Sequence, residues 1–304
     1  MVQFFTNKSS FAKNRRNELL NGYIFMAPTI IILGLFLLLP ILFAVFLAFY
    51  KLQPLGEVTY TFRGWKNFLR ILNDERVGIA LKNTVEYVVF VVPIQTVLAL
   101  SLAVILNAQI KGKNWFRIIF FLPTVTSSAV LTLIFMWICN SNGLLNNFLA
   151  FLGLPTYNWL GDPAVALKAI MLMNIWSTAP LFMVIYLAAM QDIPESLYEA
   201  ATIDGASWLD KFVCITLPFL QPVTFFVVVM GIIGTFQLFD QSYIFSRGTG
   251  GPNNSTLTVV LLIYQYAFKR LDMGYASALA LMLALVIMMV TLIQRYLFTE
   301  DKFN

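Results

Sequence analysis

Between Ile24 and Tyr50 the chain runs 27 residues without one charged side chain. Coiled as an α-helix at about 1.5 Å per residue, that stretch exceeds the roughly 30 Å hydrocarbon core of a bilayer. A cleaved leader would carry an apolar core of only about 7–15 residues and a small-residue cleavage site. Neither is present, so the segment is expected to be a permanent first span. Five further apolar runs are near the length a spanning helix needs: Tyr87–Asn107, Ile118–Cys139, Ala169–Met190, Phe219–Phe239 and Met273–Gln294. The expectation is an all-α membrane protein with six transmembrane helices.

Composition agrees and narrows the chemistry. Of 304 residues 59% are hydrophobic and 12% charged, against roughly 25% charged in soluble domains. The net charge of +5 is expected to reflect cytoplasmic loops, because no basic stripe with interleaved aromatics suggests nucleic acid. Histidine is absent, which removes the commonest general base and metal ligand, and no metal site is expected. Cys139 and Cys214 are isolated and read as two buried thiols. An intramembrane enzyme would need a nucleophile with a base, and no such constellation stands out. A secondary transporter would show related repeats with broken helices and an ion-coupling carboxylate, and no such repeat is evident.

Orientation follows from two basic segments. The N-terminal tail carries Lys8, Lys13, Arg15 and Arg16, and the loop after the second run carries Lys111, Lys113 and Arg117. Short basic segments stay in the cytoplasm, so both termini are expected inside and loops 51–82, 140–168 and 247–272 outside. The layout is a cytoplasmic tail over 1–22, a membrane domain over 23–298 and a cytoplasmic tail over 299–304. The uncharged outer loop around LLNNFLAF is expected to hold a short interfacial helix. The stretch SRGTGGPNNST is turn chemistry throughout, either a connection or a contact for an external partner.

The segment 191–218 does not fit the pattern of its side. Between Gln191 and Lys211 it holds Asp192, Glu195, Glu199, Asp204 and Asp210 against the single base Lys211. Asp192 is expected to cap a helix whose first turn contains Pro194, with Glu195 completing a capping box. The helix should stop at Gly205 in a left-handed cap. A second short helix, 207–214, should start at a Ser207 cap and end ahead of Pro218. Ala200 and Ala201 leave part of the first helix smooth. The pair reads equally as an insert that fits a socket and as interfacial helices packed on their own spans.

Within this insert, EAATIDGASWLDKFVCITLP matches the pattern EAA, three residues, Gly, nine residues, I-x-L-P at seven positions: Glu199, Ala200, Ala201, Gly205, Ile215, Leu217 and Pro218. The chain thereby resembles the permease subunits of binding-protein-dependent ABC importers. FRGWKNFLRIL, WFRIIFFLPTV, NWLGDPAVAL and FDQSYIFSRGTGGPNNSTLTVVLLIYQYAF extend the likeness to the carbohydrate-uptake branch, the first permease of glycerol-3-phosphate, trehalose and maltose-type systems. Family members usually have fewer residues ahead of the GGP, so Ser246–Thr249 look extended.

The resemblance implies a type I importer permease fold, in a bacterial or archaeal plasma membrane. It also implies a second permease subunit, two ATPase subunits, an extracytoplasmic binding protein and a sugar, oligosaccharide, polyol or sugar-derivative cargo. An importer for a non-sugar solute is the alternative. Asp204 and the seven motif residues would couple to the ATPase. The chain has no GxxxxGK[ST] loop, so ATP and Mg would be bound by the partner, not here. By the same resemblance Asn174, Trp176 and Ser177 on the fourth run, and Thr235, Gln237, Phe239, Asp240 and Tyr243 on the fifth, are candidates to touch substrate. Gly250, Gly251 and Pro252 are candidates to meet the binding protein.

Overall fold

The computed structural model describes residues 6–53, 59–108 and 113–300. The side chains of Lys8, Lys13, Arg15, Arg16, Lys111, Lys113 and Arg117, which carry the orientation argument, lie outside the described set, as do residues 301–304 of the C-terminal tail.

The first span is built from α1 (Thr6–Leu33), a π-helical turn (Gly34–Leu38) and α2 (Leu39–Ala48). Pro40 at the start of α2 has no N–H to offer the preceding turn. The amide of Leu39 bonds the Gly34 carbonyl five residues back, so the helix widens by one residue ahead of the proline and continues. Its apolar side chains point mostly outward, and α2 packs on the last helix.

The segment that follows, 51–82, is not a loop of 32 residues. It folds as a hairpin of β1 (Tyr50–Gln53) and β2 (Thr59–Phe62), antiparallel with Tyr50 opposite Phe62, then α3 (Lys66–Asn73). The second span, α4 (Glu75–Asn107), starts 12 residues before the apolar run, and Asp74 caps it by accepting from the Arg76 amide at 3.0 Å. The extension past Arg76, Lys82 and Glu86 is stable because its other face, with Val77, Ala80 and Val88, is buried in the core.

The expected third span is broken. α5 (Lys113–Val125) and α6 (Ser128–Ile138) meet at 110°. Pro123 deletes one helical hydrogen bond, and the Thr124 and Thr126 hydroxyls bond the Phe121 and Leu122 carbonyls in its neighbourhood, ending the helix. α7 (Leu144–Phe151) supplies the short outer helix. The fourth span is α8 (Ala166–Gln191). Its pairing with α4 forms the most buried part of the molecule, around Ala99, Ala103, Ala179, Met183 and Tyr186.

After α8 come α9 (Glu195–Ile203) and α10 (Trp208–Lys211), then a π-helical turn (Phe212–Thr216) and α11 (Leu217–Phe236). The fifth span continues past a break into α12 (Asp240–Phe245). An irregular outer segment leads to α13 (Val259–Tyr264), a third π turn (Gln265–Lys269) and the sixth span, α14 (Met273–Glu300). Among the described residues five helices are long and apolar enough to cross a membrane, and the bent α5–α6 pair supplies the sixth if counted as one span. The close-packed stripe of α14 runs through Tyr275, Ala276, Leu279 and Leu283, whereas Ala284 faces outward.

The end of the molecule where α3, the start of α4 and the 265–275 segment meet is bolted by a polar network. Asp74 accepts from the hydroxyls of Tyr266 (2.5 Å) and Tyr275 (2.9 Å), and Arg70 pairs with Asp272 at 2.6 Å while lying 4.0 Å from the centre of the Tyr275 ring. Partial burial works against the charge on Asp74, but the two hydroxyls, the Arg76 amide and Arg70 outweigh it and hold its carboxyl below the usual range.

Candidate functional site

Two regions hold the residues singled out from sequence, one at each end of the helix that runs from Trp208 to Phe245.

At its Trp208 end α9 and α10 form a hairpin. Asp192 does not cap it. That residue closes the C-terminus of α8, and Pro194 takes the N-cap position of α9 in an extended conformation without a side-chain cap. A proline needs no amide partner there, so the expected Asp192–Glu195 box has no donor to serve. The other end behaves as expected. Gly205 adopts φ +79, its amide bonds the Thr202 carbonyl, and the Ala206 amide bonds the Ala201 carbonyl at 2.9 Å, the paired bonds of a Schellman cap.

Ser207 then opens α10 in a capping box with Asp210, whose carboxyl the serine holds below the ordinary carboxylate range. α10 is not a separate helix ending before Pro218. It flows through the π turn into α11, the Leu217 amide bonding the Phe212 carbonyl, the same device that passes Pro40. Tyr198 and Thr216 hydroxyls meet at 2.9 Å and Lys211 reaches the Thr202 hydroxyl at 2.7 Å, tying α9 to the foot of the fifth span. A cavity of about 190 Å³ lined by Asn107, Met190, Tyr198, Trp208 and Lys211 separates the hairpin from the bundle.

Glu199, Ala200, Asp204 and Gly205 are exposed together and Ala201 is half-buried beside them. The remaining motif residues lie elsewhere: Ile215 in the π turn, Leu217 and Pro218 at the start of α11. Sequence reading missed Ile203, which is 87% exposed at the tip, and Trp208, stacked on Phe212. An exposed Ile within an otherwise capped turn was the available signal. Cys214 is exposed on the same turn, contrary to expectation, and Cys139 is buried; both are free.

Toward its other end the fifth span breaks between Phe236 and Asp240. Gln237 terminates α11, and Phe239 (φ −131, ψ −64) leads into α12. The break gathers Gln237 and Asp240, both exposed, with the half-buried rings of Phe239 and Tyr243. Leu238 between them enters a buried cluster with Ile170, Met171 and Ile175, so the break is seated on α8 beside Asn174. Asn174 is buried and its carbonyl accepts from the hydroxyls of Ser177 and Thr178. Trp176 is half-exposed. Thr235 is buried and spends its hydroxyl on its own helix, at the Gly231 carbonyl, 2.7 Å away.

A buried residue not foreseen, Gln95, accepts from Thr178 and presses its amide against Gly231, where a Cβ would stand 2.6 Å from it. A lone amide in an apolar run was the signal that pointed to it.

The loop of Gly250, Gly251 and Pro252 is built rather than loose. Thr256 donates to the Gly251 carbonyl, Gly250 donates to the Ser246 hydroxyl, Ser242 donates to the Thr256 carbonyl, and Asn83 holds the Asn254 and Leu257 carbonyls. The Ser246–Thr249 stretch is itself an ordered turn, with Ser246 donating to the Ser242 carbonyl and Thr249 to the Ser246 carbonyl.

Residues 95–299 match the family model described as binding-protein-dependent transport system inner membrane component. The chain belongs to that family. Among its relatives, the lactose transport system permease protein LacF of Rhizobium radiobacter is 36% identical over 98% of this chain and 99% of its own. The arabinooligosaccharides transport system permease protein AraP of Bacillus subtilis is 35% identical over 89% and 86%. The trehalose/maltose transport system permease protein MalF of Thermococcus litoralis is 32% identical over 94% and 96%. A chain from the crystal structure of a bacterial ABC transporter involved in import of the acidic polysaccharide alginate shares the fold, with TM-score 0.79 and 24% identity over 96% of this chain and 99% of its own. The importer permease is therefore a multi-pass membrane protein with the type I architecture.

Proposed function

We propose that this permease carries a carbohydrate, an oligosaccharide or a close derivative, with a second permease beside it, two ATPase subunits docked on its cytoplasmic side and an extracytoplasmic protein delivering the cargo. Its end-to-end likeness to lactose, arabinooligosaccharide and trehalose/maltose permeases supports the cargo class. The observation that carries the coupling role is the hairpin. It exposes Glu199, Ala200, Asp204 and Ile203 on a Schellman-capped turn while its rear is tied to the fifth span.

The mechanism follows from that continuity. ATP and its magnesium, held by the partner, would draw the docked hairpins together. A push at Ile203 passes through the Tyr198–Thr216 and Lys211–Thr202 bonds into the continuous helix from Trp208 to Phe236. The far end of that helix is the break bearing Gln237, Phe239, Asp240 and Tyr243. The same movement would therefore tilt the groups that meet a sugar, opening them outward and then inward. The loop at Gly250–Pro252, pinned to α4 and α12, would give the delivering protein a rigid surface. The N- and C-termini and the hairpin are assigned to the cytoplasm of a bacterial or archaeal cell.

The test is reconstitution of the assembled importer in proteoliposomes, with ATP-dependent uptake of lactose, maltose, trehalose and arabinotriose measured. Uptake of at least one, dependent on ATP and the delivery protein, is expected. Uptake of amino acids or phosphate esters, with none of the sugars moving, would overturn the cargo class.

A further inference from the structure

The third segment at the outer break is α13 with its π turn, and its two faces differ. Val259, Leu261, Leu262, Gln265 and Tyr266 are buried in the core, whereas Tyr264 is half-exposed and Phe268 is 65% exposed on the opposite side. These two rings do not stand alone. The Tyr264 centroid lies 5.2 Å from Phe239, 5.2 Å from Tyr243 and 5.2 Å from Phe268, and Phe239 and Tyr243 are 5.4 Å apart. Four rings thus make one continuous aromatic surface, starting at the helix break and running outward past the loop 247–252.

The surface has a polar border. Asp240 and Gln237 stand exposed at its inner end. At its outer end the Lys269 ammonium donates to the Gly248 carbonyl at 2.9 Å. Gly248, at φ +73, is what lets the rings and Lys269 close up. A Cβ there would lie 2.8 Å from the Tyr243 ring and 2.9 Å from the Lys269 nitrogen.

We infer that Tyr264 and Phe268 extend the substrate surface outward, forming with Phe239 and Tyr243 a stacking platform that receives pyranose or furanose rings before they reach Gln237 and Asp240. This rests on the carbohydrate reading above. Sugar rings offer C–H faces that stack on aromatic π-systems and hydroxyls that need donors and acceptors at the edge. A row of rings bordered by a carboxylate, an amide and an ammonium meets both needs. A lipid-facing helix side has no use for that border. Contiguous rings also let an oligosaccharide advance one unit at a time, because each step exchanges one stacking contact for an equivalent one.

The test uses the whole importer in proteoliposomes with lactose, maltose, trehalose and arabinotriose as probes. Tyr264→Leu and Phe268→Leu keep apolar bulk and remove the ring. Each should raise KM for uptake about five- to tenfold, the worth of one aromatic contact, with kcat little changed. Phe268→Trp should keep KM near wild type, and the emission of its indole, taken as the difference from the wild-type complex with its six native tryptophans in this chain, should shift when the transported sugar is added.

Wild-type KM in both leucine variants, or an indole blind to sugar, overturns the platform, since leucine packs against lipid or a neighbouring subunit as well as phenylalanine does. Failure of the wild-type importer to move any of the four sugars overturns the carbohydrate reading instead, and the two failures are told apart by scoring wild type first.

Discussion

Gly205 shows how much one residue settles. Its φ of +79 lies where a Cβ crowds the following carbonyl, yet no atom stands within 4 Å of where that Cβ would be. The penalty for substitution is therefore in the backbone, about 1 kcal/mol for alanine, not in packing. Gly205→Asn, which tolerates the left-handed region, should keep more than half of wild-type uptake, Gly205→Ala should lose a moderate part, and Gly205→Asp should lose at least tenfold by adding charge where a partner approaches. All three should insert normally, and basal ATPase of the complex should persist. Equal uptake in Asn and Asp variants would show that the turn is not a contact.

The acidic residues separate by the same logic. Asp210 serves the capping box with Ser207, whereas Glu199 and Asp204 are exposed, and Asp204 sits at a helix C-terminus, where the dipole disfavours it. Asp210→Ala should loosen the start of α10 by removing its capping box, and leave ATPase capture in a pull-down intact. Asp204→Lys should weaken capture several-fold, and unchanged capture would make its charge incidental. The Gly205 and Ser207 caps were legible because each is set by its nearest neighbours. Asp192 was misplaced because Pro194, two residues on, suits the N-cap position equally well.

At the scale of elements, apolar length identified the spans, but not where polar segments extend them. α4 begins at Glu75 because its early turns are half-buried and capped by Asp74, which hydropathy cannot register. The bend between α5 and α6 and the break after Phe236 lie inside runs that look uniform in sequence; tertiary seating of Leu238 on α8 decides the second. The Asp74 network makes stability depend on pH in one direction. The Asp74 carboxyl is held below its unfolded value, so its stabilisation is fully present above about pH 4 and fades as pH falls through the lower folded value. Thermal unfolding of the purified complex should therefore lose several degrees on the acid side of pH 4. Asp74→Asn should lower the midpoint at pH 7 and flatten that acid limb. An Asn variant with wild-type acid dependence would assign the limb to other carboxylates.

For the whole molecule, the hairpin tip lies at the Trp208 end of the fifth span and the 247–254 loop beyond its Phe245 end, and the unbroken helix from Trp208 to Phe236 is by itself longer than a bilayer core is thick. Two exposed residues, Ile203 at the tip and Asn253 in the loop, must then face different compartments. The orientation rests on the basic N-terminal tail and the short basic loop holding Lys111, Lys113 and Arg117, and labelling tests it directly. In a background with Cys139 and Cys214 replaced, Ile203→Cys should react with a membrane-impermeant maleimide only in inside-out vesicles. Asn253→Cys should react only in right-side-out vesicles. The reverse pattern would place the hairpin outside, where no ATP-hydrolysing subunit could reach it, and would remove the coupling role together with the orientation. Labelling of both sites from one side would contradict the helix itself as a membrane span. Only the predicted pattern lets one continuous helix join an ATP-driven displacement below to a sugar-bearing break above.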